Sequence, residues 1–98
     1  MPHTVLRIYD NAPGLVDALV AHEDDVRALL TGVAGFRIWG LTRTATGAFT
    51  LTVCDDKAGT DETVRRAAGW IKTNLPDANI PAPTVIDGEA VLRIDAAS

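Results

Sequence analysis

A β-hairpin predicted between residues 35 and 56 is the feature that most constrains the fold of this 98-residue chain. Strand-like segments over 36–44 and 48–55 are separated by the turn sequence Ala45-Thr46-Gly47. Because successive side chains of a strand point to opposite faces, each segment divides into two rows. One row on the second strand is apolar and consists of Phe49, Leu51 and Val53. The hairpin therefore predicts a sheet with at least one aliphatic face.

The alternation leaves open which face of this sheet is covered. The first strand places Phe36, Ile38, Gly40 and Thr42 on one side, and Arg37, Trp39, Leu41 and Arg43 on the other. If Phe36 and Ile38 lie under helices together with Leu51 and Val53, the uncovered face receives Trp39, Leu41 and the threonines. In the opposite phase, the uncovered face receives Phe36, Phe49, Leu51 and Val53. Either choice exposes a contiguous, partly apolar patch, which a soluble monomer seldom shows.

A strand and a helix are predicted ahead of the hairpin. Residues 4–10 have strand composition and end at the turn sequence Asp10-Asn11-Ala12-Pro13. Pro13 suits the first turn of a helix, which Gly32 closes. The first helix carries an apolar stripe at helical spacing, formed by Leu15, Leu19, His22, Val26, Leu29 and Leu30.

A second helix and a fourth strand are predicted after the hairpin. Thr60 supplies a capping hydroxyl, two acidic residues follow it, and Pro76 ends the helix. The apolar stripe of this helix consists of Val64, Ala67, Ala68, Ile71 and Leu75. Pro81 and Pro83 make the next connection extended and stiff, and the last strand is predicted over 85–94.

The resulting order, βαββαβ, predicts an α+β, ferredoxin-like fold with a four-stranded antiparallel sheet and two helices on one face. We expect one domain over residues 1–98, since a chain of this length builds a single modest core. The second face of the sheet has no helices to cover it. We therefore expect two copies to pack face to face as a homodimer.

Composition restricts the partners and cofactors. A net charge of −4 without a cationic run predicts that the chain binds neither nucleic acid nor an anionic membrane. One cysteine excludes an internal disulfide, and two histidines without zinc-like spacing predict no metal site. No segment resembles a signal peptide or approaches the roughly 20 apolar residues of a membrane span, so we expect a cytoplasmic protein.

Two sequence stretches and the order of elements resemble a known superfamily. The second strand is entered through V-A-G-F, and T-V-C-D-D-K-A-G-T-D-E-T-V-R-R-A-A-G-W-I leads from the third strand into the second helix. Over essentially the whole chain, these features resemble the dimeric α+β barrel proteins, and more narrowly their small antibiotic-biosynthesis-monooxygenase-like members. The resemblance implies a dimer closed through the open sheet faces, with a pocket between sheet and helices for an aromatic polyketide, haem or a small acid. The implied activities range from cofactor-independent oxygenation through haem degradation to none known.

Trp39, Tyr9 and His22 are candidates for lining such a pocket. A flat ring binds an aromatic ligand well, and an indole N–H or a phenol can position an oxygen atom. His22 lies on the stripe of the first helix, where an imidazole could serve as a general base near neutral pH or as a haem ligand. The competing interpretation places both aromatic rings in the core or an interface, and His22 at the solvent edge.

Arginines form a second set of candidates. Arg37 and Arg43 lie in the same row as Trp39, and Arg7 lies on the first strand. Their guanidinium groups could bind an acidic ligand through paired hydrogen bonds. Alternatively, they form ion pairs across the sheet or the dimer with acidic residues, namely Asp87, Glu89 or Asp95.

Two functional hypotheses follow from these residues. The protein either binds or oxidises a small aromatic or acidic metabolite without a cofactor, or serves as a non-enzymatic dimeric module. Cys54 has no histidine partner by motif and is expected to be a buried structural residue. Haem-degrading relatives use a helix histidine with an asparagine and a tryptophan, whereas the second helix here contains no histidine. We therefore expect no bound haem.

Overall fold

The computed structural model describes residues 1–12, 14–76 and 80–96. It contains an antiparallel sheet of four strands, and helices cover one face of this sheet. Its elements are β1 (His3–Asp10), α1 (Leu15–Ala21), α2 (Glu23–Thr31), β2 (Phe36–Arg43), β3 (Gly47–Cys54), α3 (Lys57–Asn74) and β4 (Thr84–Glu89). The strands lie in the order β2-β3-β1-β4, and every neighbouring pair is antiparallel. The predicted α+β, ferredoxin-like fold is confirmed. The role expected for Pro13 in the first helical turn falls outside the described residues.

The single helix predicted between residues 13 and 32 is wrong, because the structure contains two shorter helices. α1 ends at Ala21, and His22 adopts a non-helical backbone conformation with φ −112° and ψ 31° before α2 begins. The first turn of α2 contains Glu23, Asp24 and Asp25. The positive end of a helix dipole favours such acidic residues, so they stabilise a separate N-terminus for α2. The buried stripe continues across the break and includes Leu15, Leu19, Val26 and Leu30.

The start predicted for the next helix at Thr60 is also wrong, because Asp56 caps α3. Asp56 has an extended backbone, and its Oδ1 accepts a hydrogen bond from the Gly59 backbone N–H at 2.9 Å. Aspartate is at least as effective an N-cap as threonine, so the earlier residue takes that role. Thr60 then lies about one turn inside the helix and is fully buried.

Thr60 connects α3 to two strands through a histidine. Its Oγ1 lies 2.6 Å from Nδ1 of the buried His3 on β1, and it donates to the Lys57 carbonyl at 3.0 Å. The other ring nitrogen of His3, Nε2, lies 3.1 Å from Oδ2 of Asp87 on β4. Removing one partner of a buried hydrogen bond leaves the other unsatisfied, at a cost of about 1–3 kcal/mol. These contacts therefore hold the first turns of α3 over the β1–β4 pair.

A β-bulge in β2 decides which of its residues face the helices. The register with β3 shifts between Phe36 and Ile38, so that Phe36 lies opposite Cys54 and Trp39 lies opposite Thr52. Phe36 and Trp39 therefore share the helix-covered face, although strict alternation predicted opposite faces. The other face, which we call the open face, carries the apolar side chains of Leu6, Ile8, Ile38, Phe49, Leu51, Val53 and Ile86.

The fourth strand is shorter than the predicted segment 85–94. β4 pairs with β1 up to the Glu89–His3 pair, and the Ala90 backbone N–H still donates to the Pro2 carbonyl at 2.9 Å. Pro2 has no N–H to continue the ladder, so regular pairing stops there. The apolar side chains that follow, Val91, Leu92 and Ile94, are 78–85% exposed.

Two glycines of α3 provide a matched test of how closely this helix packs on β3. A Cβ added at Gly59 would lie 2.8 Å from Cβ of Cys54, whereas one added at Gly69 would meet no atom within 4 Å. We expect Gly59→Ala to lower the free energy of unfolding by about 1–3 kcal/mol, because the added methyl group overpacks the interface. Gly69→Ala should raise it by up to about 1 kcal/mol, because alanine is the better helix former. Urea unfolding measures both values, and a stabilising Gly59→Ala substitution would contradict the close packing.

Candidate functional site

A cleft of about 550 Å³ opens between α1, α2 and the edge strand β2, and we call it the helix cleft. Its apolar lining comes from Leu19, Val26 and Leu30 on the helices and from Phe36, Trp39 and Leu41 on β2. Small-molecule sites in proteins typically have this volume and this predominance of apolar and aromatic side chains. The cleft is therefore large enough for a small planar ligand.

The bulge in β2 is what brings two aromatic rings to this cleft. It places Phe36 and Trp39 on the helix-covered face, where both are half-buried and pack against the hydrophobic core. The facing position on β3 is Thr52, a small side chain that is itself buried. Trp39 therefore offers part of its ring to the cleft, where an aromatic ligand could contact it.

The charged residues at the cleft already have partners. Arg27 Nη2 lies 2.8 Å from Oε2 of Glu23, one helical turn earlier on α2. Arg37 forms an ion pair with Asp55, which follows β3. Because each guanidinium is neutralised by a carboxylate, the helix cleft favours an apolar, aromatic ligand over an acidic one.

The structure divides the predicted trio of Tyr9, Trp39 and His22. Trp39 lines the helix cleft and also borders a narrow interior space of about 20 Å³, which Tyr9 lines from the other side. That space holds about one water molecule, so the two rings do not enclose a ligand-sized pocket. Tyr9 is 6% exposed, and its hydroxyl accepts a hydrogen bond from Arg7 Nε at 3.1 Å.

His22 is exposed at the junction of α1 and α2 and lines neither this interior space nor the helix cleft. Its ring packs edge-on against Trp70 of α3, with 5.3 Å between centroids. Its Nδ1 lies 3.6 Å from Oδ2 of Asp25. Both contacts join surface elements, and Trp70 in turn lines the interior space.

The remaining candidates form local contacts. Arg43 Nη2 donates to Oδ1 of Asp17 at 2.8 Å, which ties the end of β2 to α1. Cys54 is fully buried, with its Sγ 3.6 Å from Oγ1 of Thr63. The expectation that Cys54 is buried is thus confirmed. The carboxylate partners of Arg37 and Arg43 are not the strand-four and tail residues considered from the sequence.

A second cleft was missed by sequence reasoning. It has a volume of about 540 Å³ and lies between β1, the last turns of α3 and residues 80–83, and we call it the proline cleft. Its lining includes Arg7, Ile71, Lys72, Leu75, Ile80 and Pro83. The sequence feature that could have indicated this cleft is Arg7, which shares the covered face of β1 with Tyr9. For Pro81 and Pro83 the sequence predicts only a stiff connection, and nothing in the local pattern indicates that they approach α3.

The resemblance noted above includes haem-degrading proteins, so the fit of haem can be tested on the two histidines of the chain. A histidine on the pocket wall is a common ligand for haem iron. His3 is buried between Thr60 and Asp87, and His22 packs on Trp70 outside the helix cleft. Neither histidine lines that cleft, so these residues do not fit haem ligation there.

Other candidate features lie on the surface or are absent from the described part of the chain. Hydrogen bonding to Arg65 lowers the pKa of Glu62, and a hydrogen bond to Asp61 raises the pKa of Lys57; all four residues lie on α3 away from the helix cleft. Within residues 1–12, 14–76 and 80–96, no group of three or more histidine, cysteine or acidic side chains could hold a metal ion. None of the helices described there is long and apolar enough to cross a membrane.

Comparison with known proteins gives structural matches only. No family model and no curated protein matches the sequence. A protein described as an antibiotic biosynthesis monooxygenase, from Chloroflexus aurantiacus, is 13% identical, with a TM-score of 0.68 over 99% of this chain and 100% of its own. A protein of unknown function from Nitrosomonas europaea is 18% identical, with a TM-score of 0.65 over 99% of this chain and 95% of its own.

A haem-binding protein has a similar structure. The haem degrader MhuD of Mycobacterium tuberculosis, with two haems bound in its active site, is 13% identical, with a TM-score of 0.68 over 97% of this chain and 100% of its own. At such identities the likeness establishes the fold. The chain thus has the ferredoxin-like fold of the antibiotic-biosynthesis-monooxygenase-like proteins, as its sequence predicted.

Proposed function

We propose that the protein is a monooxygenase-like protein that binds a small, planar aromatic metabolite in the helix cleft. The observation that carries this proposal is the cleft itself, with about 550 Å³ of space beside the partly exposed ring of Trp39. The shared fold with antibiotic-biosynthesis-monooxygenase-like proteins supports the same class of function. The paired state of Arg37 favours an aromatic ligand over an acidic one in this cleft.

The cleft residues suggest how far the protein itself contributes to chemistry. Among the described residues that line it there is no histidine, cysteine, serine, tyrosine or lysine, and its one hydroxyl group, on Thr31, donates a hydrogen bond to the Arg27 carbonyl at 2.8 Å. The one acid among these described residues, Glu23, forms an ion pair with Arg27. An oxidation in this cleft would therefore depend on the reactivity of the ligand toward dissolved molecular oxygen, with the ligand supplying the electrons and the protein providing a largely apolar surface. The alternative function is a non-enzymatic dimeric module, which the same fold also allows.

Ligand binding in the helix cleft can be tested with 2-naphthol as a planar probe. We expect binding to change Trp39 fluorescence and to raise the melting temperature by roughly 10 °C at a hundredfold excess over Kd, since the ligand binds only the folded state. Trp39→Ala should remove binding. Val20→Trp should weaken it as well, because Val20 lines the cleft, is 60% exposed and can be enlarged without disturbing the core.

Trp70→Phe serves as the control, because Trp70 does not line the helix cleft. This variant should bind 2-naphthol with unchanged affinity in isothermal titration calorimetry. Unchanged fluorescence and melting temperature across a panel of aromatic compounds would favour the non-enzymatic module. Binding that survives Val20→Trp would place the ligand elsewhere.

We also propose that the chain, as one domain over residues 1–98, forms a homodimer through the open face. That face has large apolar side chains exposed on three strands: Ile38 at 38%, Leu51 at 36% and Ile86 at 57%. Apart from Asp10 at the end of β1, none of its residues on the described strands is charged. A symmetric interface places each patch against its own copy, so a face without charge avoids repulsion with itself.

A charge at the centre of the open face should separate the subunits. The structure places Leu51 on this face and Leu41 under the helices, so Leu51→Glu is the informative substitution. Light scattering at micromolar concentration should give twice the 10.4 kDa chain mass for the unmodified protein and the single mass for Leu51→Glu, because the variant would bury an unpaired ion. Val20→Glu, at an apolar position of α1 that is 60% exposed, should stay dimeric. A monomer mass for the unmodified protein would contradict the proposal.

A further inference from the structure

The cationic side chains of this protein are almost all paired. The chain has nine lysine and arginine residues, all of them described, and seven form ion pairs with carboxylates. The two others are Arg7 and Lys72, which have no carboxylate partner among the described residues. Both line the proline cleft. In a chain of net charge −4, the convergence of these two cations on one cavity distinguishes it from the rest of the surface.

Arg7 is held in place by Tyr9. Its Nε donates to the Tyr9 hydroxyl at 3.1 Å, and its guanidinium carbon lies 5.7 Å from the centre of the Tyr9 ring. Tyr9 is buried, so it provides a rigid support, and Arg7 is itself half-buried. The terminal Nη nitrogens have no hydrogen-bond partner among the described residues and are not buried. They are therefore available as a pair of donors, the arrangement that recognises a carboxylate.

Apart from Tyr9 and the two cations, the described residues that line the proline cleft are aliphatic. Ile71 and Leu75 form the wall on α3, and Ile80 and Pro83 form the opposite wall. Three of these four side chains, Ile71, Leu75 and Ile80, pack against the hydrophobic core. The core therefore holds them in place without a ligand. A cavity with two cations on an aliphatic lining matches a molecule that has an anionic head and an alkyl body.

We propose that the proline cleft is a second ligand site, which binds a medium-chain alkyl carboxylate. Arg7 holds the carboxylate through its two Nη donors, Lys72 adds a second positive charge, and the alkyl chain lies between α3 and residues 80–83. Among the described residues, none lines both the proline cleft and the helix cleft, so this site is distinct from the proposed aromatic site.

The test uses octanoate, with acetate and octylammonium as matched probes, in isothermal titration calorimetry. Octanoate should bind with one site per chain, acetate should bind far more weakly because it has no alkyl body, and octylammonium should not bind. Arg7→Gln and Lys72→Gln should each weaken octanoate binding by about tenfold or more, since each removes a charge-assisted contact. Lys72 is exposed, so its substitution leaves folding intact and keeps the result interpretable if Arg7→Gln unfolds the chain.

Control variants separate this site from the surface and from the helix cleft. Arg65→Gln, on the same helix but paired with Glu62, should leave octanoate affinity unchanged. Asp77 is the one acidic side chain outside the described residues, and Asp77→Asn should leave the octanoate affinity unchanged. Octanoate binding that is lost in Val20→Trp but kept in both Arg7→Gln and Lys72→Gln would overturn the proposal, as would equal binding of octanoate and octylammonium. 2-Naphthol binding should be unaffected by Lys72→Gln, so the two proposed sites are tested independently.

Discussion

The close approach of the first turns of α3 to β3 is the constraint on which the rest of the structure depends. The covered face of β3 has only small side chains, Ala48, Thr50, Thr52 and Cys54, and all of them are buried. Gly59 fits against Cys54 because it has no side chain of its own. A small residue on each surface allows a helix and a sheet to approach closely, and interiors packed this densely tolerate little added volume. This contact fixes one end of α3 on the sheet.

The C-terminal end of α3 is less buried than its first turns, and the positions of the clefts follow from that difference. Gly59, Thr60 and Thr63 are buried, whereas Trp70, Ile71 and Leu75 toward the C-terminal end are half-buried. The later turns carry larger, half-buried side chains, and the proline cleft lies there beside β1. At the other edge of the same covered face, the two short helices α1 and α2 cover β2 incompletely and leave the helix cleft. Both cavities thus lie at the margins of a core whose centre is filled.

The sequence predicted the fold well because its strongest signals are local. Alternation along residues 48–54, the hairpin turn and the proline after α3 each act through neighbouring residues, and the strands were found within about two residues of their predicted ends, except for the last. The bulge at Arg37 was not predictable, because nothing in the local composition distinguishes it from regular strand. That single irregularity moved Phe36 to the covered face and so determined the lining of the helix cleft. The proline cleft depends on contacts between distant segments, which periodicity does not report.

The two edge strands of the sheet limit unwanted association between molecules through strand pairing. β2 and β4 are the outer strands, and an outer strand with free backbone groups can pair with another molecule. β2 is interrupted by its bulge and carries Arg37 and Arg43, while β4 carries Asp87 and Glu89. Two copies of β4 side by side would bring acidic residues together, and the irregular end of β2 offers no straight ladder. The protein is therefore protected against growing into an extended sheet, even though its open face is apolar.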